Sequence, residues 1–400
     1  MADAILTLNA GSSSIKFALF ARGEVIPQQP ELVGQIDGIG VVGGQRAHLK
    51  ARDASGGTLD DSDLTLEGPA ETQHRTALSF LVDWLHRRAA SHRISGVGHR
   101  VVHGAQKFSQ PIVLDAAIVD ALRGFIPLAP LHQPHNLAGI EVLTAALPDI
   151  PQVACFDTAF HRSQPDVAQL FALPRAITAQ GVRRYGFHGL SYEYMAEVLP
   201  QHLDIQRARG RVIVAHLGNG ASMCAMKDLK SLASTMGFST VDGLMMGTRT
   251  GNLDPGVLLY LMDYQQMDAK ALTRLLYKES GLLGVSGISQ DMRVLLDSAA
   301  PEAREAVDLF CYRIVREIGS LAAALGGLDA LIFTGGIGEH GAPVREQVCA
   351  RLGWLGLTLN TVANATNAAK ISAADSQIDV RVIPTNEEWI IARHVAKLTT

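Results

Sequence analysis

The sequence predicts an α/β protein made of two similar halves, and three observations carry that expectation. A short apolar strand, Ile5 to Leu8, leads through the polar turn Asn9-Ala10-Gly11-Ser12-Ser13-Ser14 into a second apolar strand, Ile15 to Phe20. The same order returns at Arg211 to Met226, R-V-I-V-A-H-L-G-N-G-A-S-M-C-A-M, so a second half opens as the first does. The length, 400 residues, exceeds what one ordinary core covers and points to two domains.

Composition narrows the function classes. With 47% hydrophobic and 18% charged residues the chain is a well-buried globular protein. A net charge of −4 and the lack of a Lys/Arg stripe argue against nucleic acid as a partner. No run of 18 apolar residues occurs, so no membrane span is expected. The N-terminal segment reads as a core strand without a basic region or cleavage site, so no export signal is expected either. Cys155, Cys224, Cys311 and Cys349 lie in or beside apolar segments without C-x-x-C spacing; they read as buried, reduced thiols of a cytoplasmic protein.

The turn at Asn9 to Ser14 combines backbone N–H groups, three hydroxyls and an amide around Gly11, with Lys16 just beyond. A hairpin turn uses the same residue types, but three consecutive serines exceed its needs, and the turn reads as a phosphate cradle. Residues 34 to 74 read as strands and loops added to the first sheet, and Thr76 to Ala90 as a helix. Ser95 to Phe108 reads as a strand crowded with His99, Arg100 and His103. On a helix His99 and His103 would suggest a zinc pair; on a strand they stand about 13 Å apart, which argues against one.

Leu128 to Asn136 is a proline-punctuated loop before a helix from Leu137 to Leu147, and Val153 to Asp157 is an apolar strand ending on an acid, with His161 four residues on. Asp157 is placed either for catalysis or to cap the next turn. Arg183 to Gly189, R-R-Y-G-F-H-G, is a constrained loop presenting Phe187 and His188 before a helix near Ser191. Arg249 lies in a Gly-flanked loop before Asp254-Pro255, which starts a helix. Ser286 to Arg293 is a polar loop, and Pro301 to Leu325 a long amphipathic helix. Ala330 to Phe333 is a strand leading into the glycine turn of Thr334 to His340, a third place for phosphate against backbone. Val380 to Ile383 is a strand, Pro384 to Glu388 a polar turn, and Trp389 to Leu398 a closing helix.

The segments N-A-G-S-S-S-I-K, G-H-R-V-V-H-G, F-D-T-A-F-H, R-R-Y-G-F-H-G, H-L-G-N-G-A-S, M-G-T-R-T-G-N-L-D-P, G-G-I-G-E and P-T-N-E-E occur in this order along nearly the whole chain. In them the sequence resembles the acetate kinase family of the acetate and sugar kinase, Hsp70 and actin superfamily. The resemblance implies two duplicated ribonuclease-H-like (actin-like ATPase) domains with an interdomain active-site cleft. Their expected bounds are 1–157, completed by the C-terminal helix 386–400, and 158–385. It also implies a homodimer and reversible, in-line transfer of the ATP γ-phosphate to acetate or another short-chain carboxylate. The products are acetyl phosphate and ADP, with Mg²⁺, or Mn²⁺ in its place, as cofactor.

Residue by residue, the resemblance implies that Arg100 holds the substrate carboxylate, that Arg249 and His188 stabilise the transferring phosphoryl group with His132 near it, and that Asp157 orients Arg249 and substrate. Val102, Leu131, Phe187 and Thr240 would line the acyl pocket, and Asn9 and Glu387 would position the metal ion. Ser12, Ser14, Lys16, His216, Leu217, Gly218, Asn219 and Gly220 would take the phosphates. Asp291, Met292, Arg293, Gly336, Ile337, Gly338, Glu339 and His340 would take the adenosine. The residue types suit the chemistry: two anions about 4 Å apart repel by roughly 4 kcal/mol at an effective dielectric near 20, which cations must offset.

Four positions depart from the family pattern: Thr240 stands where Pro is usual, Ala233 where an acid is, Asn252 where Asp is and Gln133 where Asn is. A Thr in the acyl pocket keeps propionate in play beside acetate, because one methylene discriminates by only about 1 to 3 kcal/mol. A sugar kinase of the same fold would want hydrogen-bonding side chains where this pocket is apolar. An ATP-dependent scaffold would have little use for Arg100, Asp157, His188 and Arg249 together.

Overall fold

The computed structural model describes residues 2–11, 13–40, 46–88 and 91–399. The chain divides into two compact units, Met1–Phe160 with Asn386–Thr400, and His161–Thr385. Unit 1 is built on strands β1 (Ala2–Ala10), β2 (Ser14–Ala21), β3 (Leu32–Asp37), β4 (Ala47–Asp53), β5 (Thr58–Leu64), β6 (His92–Val101), β7 (Ile112–Val113) and β8 (Gln152–Phe156), in the order β5-β4-β3-β2-β1-β6-β8-β7. Unit 2 has β9 (Val212–Leu217), β10 (Ala221–Lys227), β11 (Lys230–Ser234), β12 (Ala330–Thr334) and β13 (Asp379–Val382), in the order β11-β10-β9-β12-β13.

The duplication is visible in the pairing. In unit 1, β1 and β2, and β2 and β3, are antiparallel, while β1 and β6, and β6 and β8, are parallel. In unit 2 the same pattern holds for β9 with β10, β10 with β11, β9 with β12 and β12 with β13. Strands buried on both faces read as continuous apolar runs, which is why Ala4 to Leu8 and Val212 to Ala215 are buried without alternation. β3, β4 and β5 extend the first sheet, where the sequence places decorating strands.

One face of the first sheet packs on the helix Ala70–Arg88 through Leu78, Leu81, Trp84 and Leu85. The other face receives the closing helix Glu387–Leu398, and two glycines of β6 make room for it. A Cβ on Gly98 would lie 2.2 Å from Cγ2 of Ile391, and one on Gly96 2.6 Å from Cγ1 of Val395. The G-V-G run ahead of His99 is therefore a packing requirement. In unit 2 the helix Pro301–Leu325 packs behind β10, with Ala303, Ala306, Phe310, Ile314 and Ile318 buried.

Several element bounds differ from the sequence reading. The helix expected from Leu137 starts at Gln133, because Pro134 lies in its first turn, where a missing N–H costs nothing. β6 ends at Val101, so His103 belongs to the loop beyond it; His99 is buried with Nε2 2.6 Å from Gln152 Oε1. Residues Gly335–His340 are themselves a helical turn directly on β12, with Gly335 at φ +75° as the pivot, rather than a loop before a helix. Glu387 and Glu388 begin the last helix instead of preceding it; Asn386 caps it, its side chain accepting from the Trp389 N–H.

Candidate active site

In unit 1, parallel register sets β1, β6 and β8 side by side with their C-terminal ends together, and the polar groups collect there. Asn9 is near the end of β1, Arg100 near the end of β6, and Asp157 directly follows β8, its N–H donating to Val101 O at 3.0 Å. Arg100 grips Asp157 side-on, Nε to Oδ1 at 3.0 Å and Nη2 to Oδ2 at 2.5 Å, and Nη1 donates to Asn9 Oδ1 at 3.2 Å. Glu387, in the first turn of the closing helix, brings Oε2 to 3.8 Å from Arg100 Nε. A guanidinium has five N–H groups; these contacts engage three, leaving one on each terminal nitrogen.

The cluster is short of positive charge. Burial works against the charge on Arg100, yet Asp157 and then Glu387 raise its pKa, so it is cationic throughout. Burial pushes the Asp157 carboxyl up, against the pull of Arg100. Burial pushes Glu387 up to about 7; Arg100 and Lys16 oppose this, while Asp157 and Glu388 add to it. The carboxylate oxygens of Asp157 and Glu387 and the amide oxygen of Asn9 are donors of the kind a hard divalent cation such as Mg²⁺ takes.

Beside this cluster, Asn136 ties two segments together, accepting from Val102 N–H at 2.9 Å and donating to Ala10 O at 2.8 Å. Val102 is buried, Leu131 and His132 are half-buried at the entry to the helix Gln133–Ala146, and Gln133 donates to the carbonyls of His103 and Leu122. In the first turn, Gly11 N–H donates to Ser14 O at 2.8 Å and His74 Nε2 to Gly11 O at 2.7 Å. Lys16 pairs across β2 with Asn9. Ser12 lies outside the described residues.

In unit 2, His188 and Arg249 converge on the glycine loop between β9 and β10. A Cβ on Gly220 would stand 3.4 Å from His188 Nε2 and 3.8 Å from Arg249 Nη1, so both side chains border this glycine. Arg249 Nη1 also donates to Thr240 O at 3.0 Å, which fixes Thr240 at the same place. His188 Nδ1 lies 2.8 Å from Ser222 Oγ, Ser222 Oγ lies 2.5 Å from the Tyr192 hydroxyl, and the rings of His188 and His216 stack at 4.5 Å. His216 Nδ1 is 2.9 Å from Ser191 Oγ. Phe187 and Leu217 have buried side chains, so Leu217 offers the loop only its backbone. Gly218 N–H bonds Gly220 O, and Gly247 N–H bonds Asn219 O.

The expected adenosine residues divide by exposure. Gly336 and His340 are exposed and Ile337 half-buried, but Gly338 is buried and Glu339 turns back: its Oε1 accepts from Gly335 N at 2.8 Å and Thr385 N at 3.3 Å. Asp291 caps the helix Met292–Asp297 and pairs with Arg293, while the Met292 side chain is in the core. Of the atypical positions, Asn252 accepts from Gly243 N–H at 3.0 Å and holds that loop. Of two further residues here, Arg345 carries no sequence signal of its own, and His161 enters the sequence reading only as the His four residues beyond Asp157. Arg345, fully buried, donates to the carbonyls of Gly338 and Glu339 at 2.8 and 2.9 Å and to Asn364 and Asn367. His161, also fully buried, contacts the Phe187 carbonyl.

A sequence model of the Acetokinase family matches residues 4–393. The chain belongs to the acetokinase family. Among its relatives, an acetate kinase of Rhodopseudomonas palustris is 55% identical over 400 residues, covering 100% of this chain and 99% of the relative. One of Rhizobium meliloti is 47% identical over 397 residues, covering 99% and 98%. A solved propionate kinase from Francisella tularensis superposes with a TM-score of 0.90 at 34% identity, covering 99% of this chain and 100% of that one. An acetate kinase from Porphyromonas gingivalis does so at 0.85 and 36%, covering 100% of both. This acetokinase thus has the duplicated actin-like ATPase fold, and each of its two sheets carries one of the clusters above. Among the described residues no helix is long and apolar enough to cross a membrane.

Proposed function

We propose that the protein is an acetate kinase, transferring the γ-phosphate of ATP in line to acetate to give acetyl phosphate and ADP. The observation that carries this reading is the shared border of His188 Nε2 and Arg249 Nη1 on Gly220, because phosphoryl transfer is positioning plus charge stabilisation. The two N–H groups that Asp157 and Asn9 leave on Arg100 take the carboxylate. Arg249 and His188 meet the equatorial phosphoryl oxygens as their charge redistributes. The glycine loop at 216–220 takes the nucleotide phosphates, and the exposed edge of residues 336–340 takes the adenosine. Asn9 and Glu387 would hold Mg²⁺, which supplies charge neutralisation at the phosphates and is expected to keep several waters.

Propionate is the competing substrate because Thr240, one of the expected acyl-pocket residues, stands where the family usually has Pro. Hydroxylamine trapping with ATP, Mg²⁺ and equal concentrations of formate, acetate, propionate and butyrate decides this. The expected result is hydroxamate with acetate above propionate. A propionate preference reassigns the substrate, and no hydroxamate from any acid overturns the kinase reading.

The working form is a homodimer in the cytoplasm. All four cysteines are buried and reduced, as a reducing compartment keeps them. The helix Pro255–Gln265, P-G-V-L-L-Y-L-M-D-Y-Q, buries no residue, with Leu259 61% and Tyr264 77% exposed. So apolar a helix left in water fits a second copy of itself across a two-fold axis. Light scattering should give a dimer at micromolar concentration and a monomer for Leu259→Glu/Tyr264→Glu; a monomeric wild type would refute the assignment.

A further inference from the structure

We infer that His161 is a positioning residue for the phosphoryl site, holding the Phe187-His188 turn through one hydrogen bond to the Phe187 carbonyl. The inference rests on the role proposed above for His188.

The turn needs holding. Gly186 has φ +75° and His188 has φ +56°, so two of three consecutive residues are in the left-handed region, which is strained for a residue with a Cβ such as His188. Such a conformation persists only where its surroundings over-determine it. His161 is placed to do that. Its Nε2 is 2.9 Å from Phe187 O, and a Cβ on Gly186 would lie 2.5 Å from its ring. Its ring meets that of Tyr192 edge-on at 5.5 Å. Tyr192 in turn touches Ser222, the hydroxyl bonded to His188 Nδ1.

The polarity of the network follows from its acceptors. A carbonyl only accepts, so His161 Nε2 carries the proton and Nδ1 accepts from Ser231 Oγ at 2.8 Å. Ser231 Oγ accepts in turn from Gln164 Nε2 at 3.0 Å and from the Cys224 thiol. Both ring nitrogens are thereby satisfied in a fully buried, neutral imidazole, as burial requires. Burial pushes His161 down to about 4, so this tautomer holds at neutral pH. A histidine that merely filled space would not need its one donor aimed at the carbonyl between the pocket residue Phe187 and His188.

The test compares His161→Leu, which fills the space without a donor, with His161→Gln, whose Nε2 reaches the same carbonyl, and runs His188→Ala beside them. Displacing a reacting group by about 1 Å costs about 10²-fold. His161→Leu is therefore expected to lower kcat about 10²-fold with KM for ATP and acetate within threefold. His161→Gln should recover to within tenfold of wild type, and circular dichroism should show all three folded. If His188→Ala is impaired while His161→Leu is not, or if Leu and Gln at 161 are equally impaired, the inference is overturned and the kinase reading survives. If His188→Ala retains wild-type kcat, the role proposed for His188 falls and this inference with it. Should His161→Leu not fold, His161→Gln near wild-type kcat with Ser231→Ala lowered supports the network, and His161→Gln lowered by about 10²-fold or Ser231→Ala at wild-type kcat overturns it.

Discussion

Arg249→Ala is expected to lower kcat by about 10³-fold or more while leaving KM for ATP and acetate within a few-fold. The reason lies in where its charge sits. Nη1 is fixed by Thr240 O at 3.0 Å and borders Gly220 together with His188. In the proposed role it meets phosphoryl oxygens whose charge changes only as the bond to ADP breaks, so its removal raises the transition state more than the bound state. Arginines in this role contribute 10³ to 10⁵ in kcat, and each factor of ten is about 1.4 kcal/mol. Arg249→Lys keeps a charge but loses the planar fork and the Thr240 contact together, and should recover only part of the loss. Steady-state kinetics in the acetyl phosphate-forming direction measures this. A loss under tenfold for Arg249→Ala would remove the arginine from the transition state.

Much of this architecture can be read from local sequence, because the signals are local. Ile5 to Leu8 and Val212 to Ala215 are continuous apolar runs between polar turns, and the backbone pairs them as two sheets of one topology. Pro301 opens its helix and Gly326, at φ +75°, closes it. What escapes local reading depends on partners distant in sequence. Gly96 and Gly98 read simply as strand residues, and the reason for them appears only when the helix at 387–398 packs against them. Glu387 looks like a turn acid because its cap, Asn386, follows a proline-containing stretch that hides the helix start. Arg345 is an ordinary helix residue in sequence, and its five acceptors come from the 338–339 and 364–367 segments. The site shows the same split. Arg100, Asp157, His188 and Arg249 are recognisable as reactive types in polar loops or at strand ends, whereas His161 shows in sequence only as the His four residues past Asp157, and its packing on Gly186, 25 residues later, appears only in the fold.

Arg100 poses the harder separation, because the proposed carboxylate ligand is also the counter-charge of Asp157 and Glu387. Replacing it by Met leaves Asp157, 1% exposed, without its ion-pair partner and Glu387 with Lys16 as the remaining cation acting on it. Breaking one side of a buried pair costs about 3 to 5 kcal/mol, so Arg100→Met is expected to lower the unfolding free energy by that order, measured in urea, and to abolish measurable acetate turnover. Stability and activity then part in the double variant. Arg100→Met/Asp157→Asn removes the stranded Asp157 charge and should regain at least half of the lost stability, with acetate turnover still at least 10³-fold down. Arg100→Lys restores one positive charge but cannot span Asp157 side-on while presenting two N–H groups to a carboxylate. It should therefore fold near wild-type stability with KM for acetate raised at least tenfold. Lys at 100 with acetate kinetics within threefold of wild type would show that charge alone suffices, and that the two terminal N–H groups do not read the carboxylate.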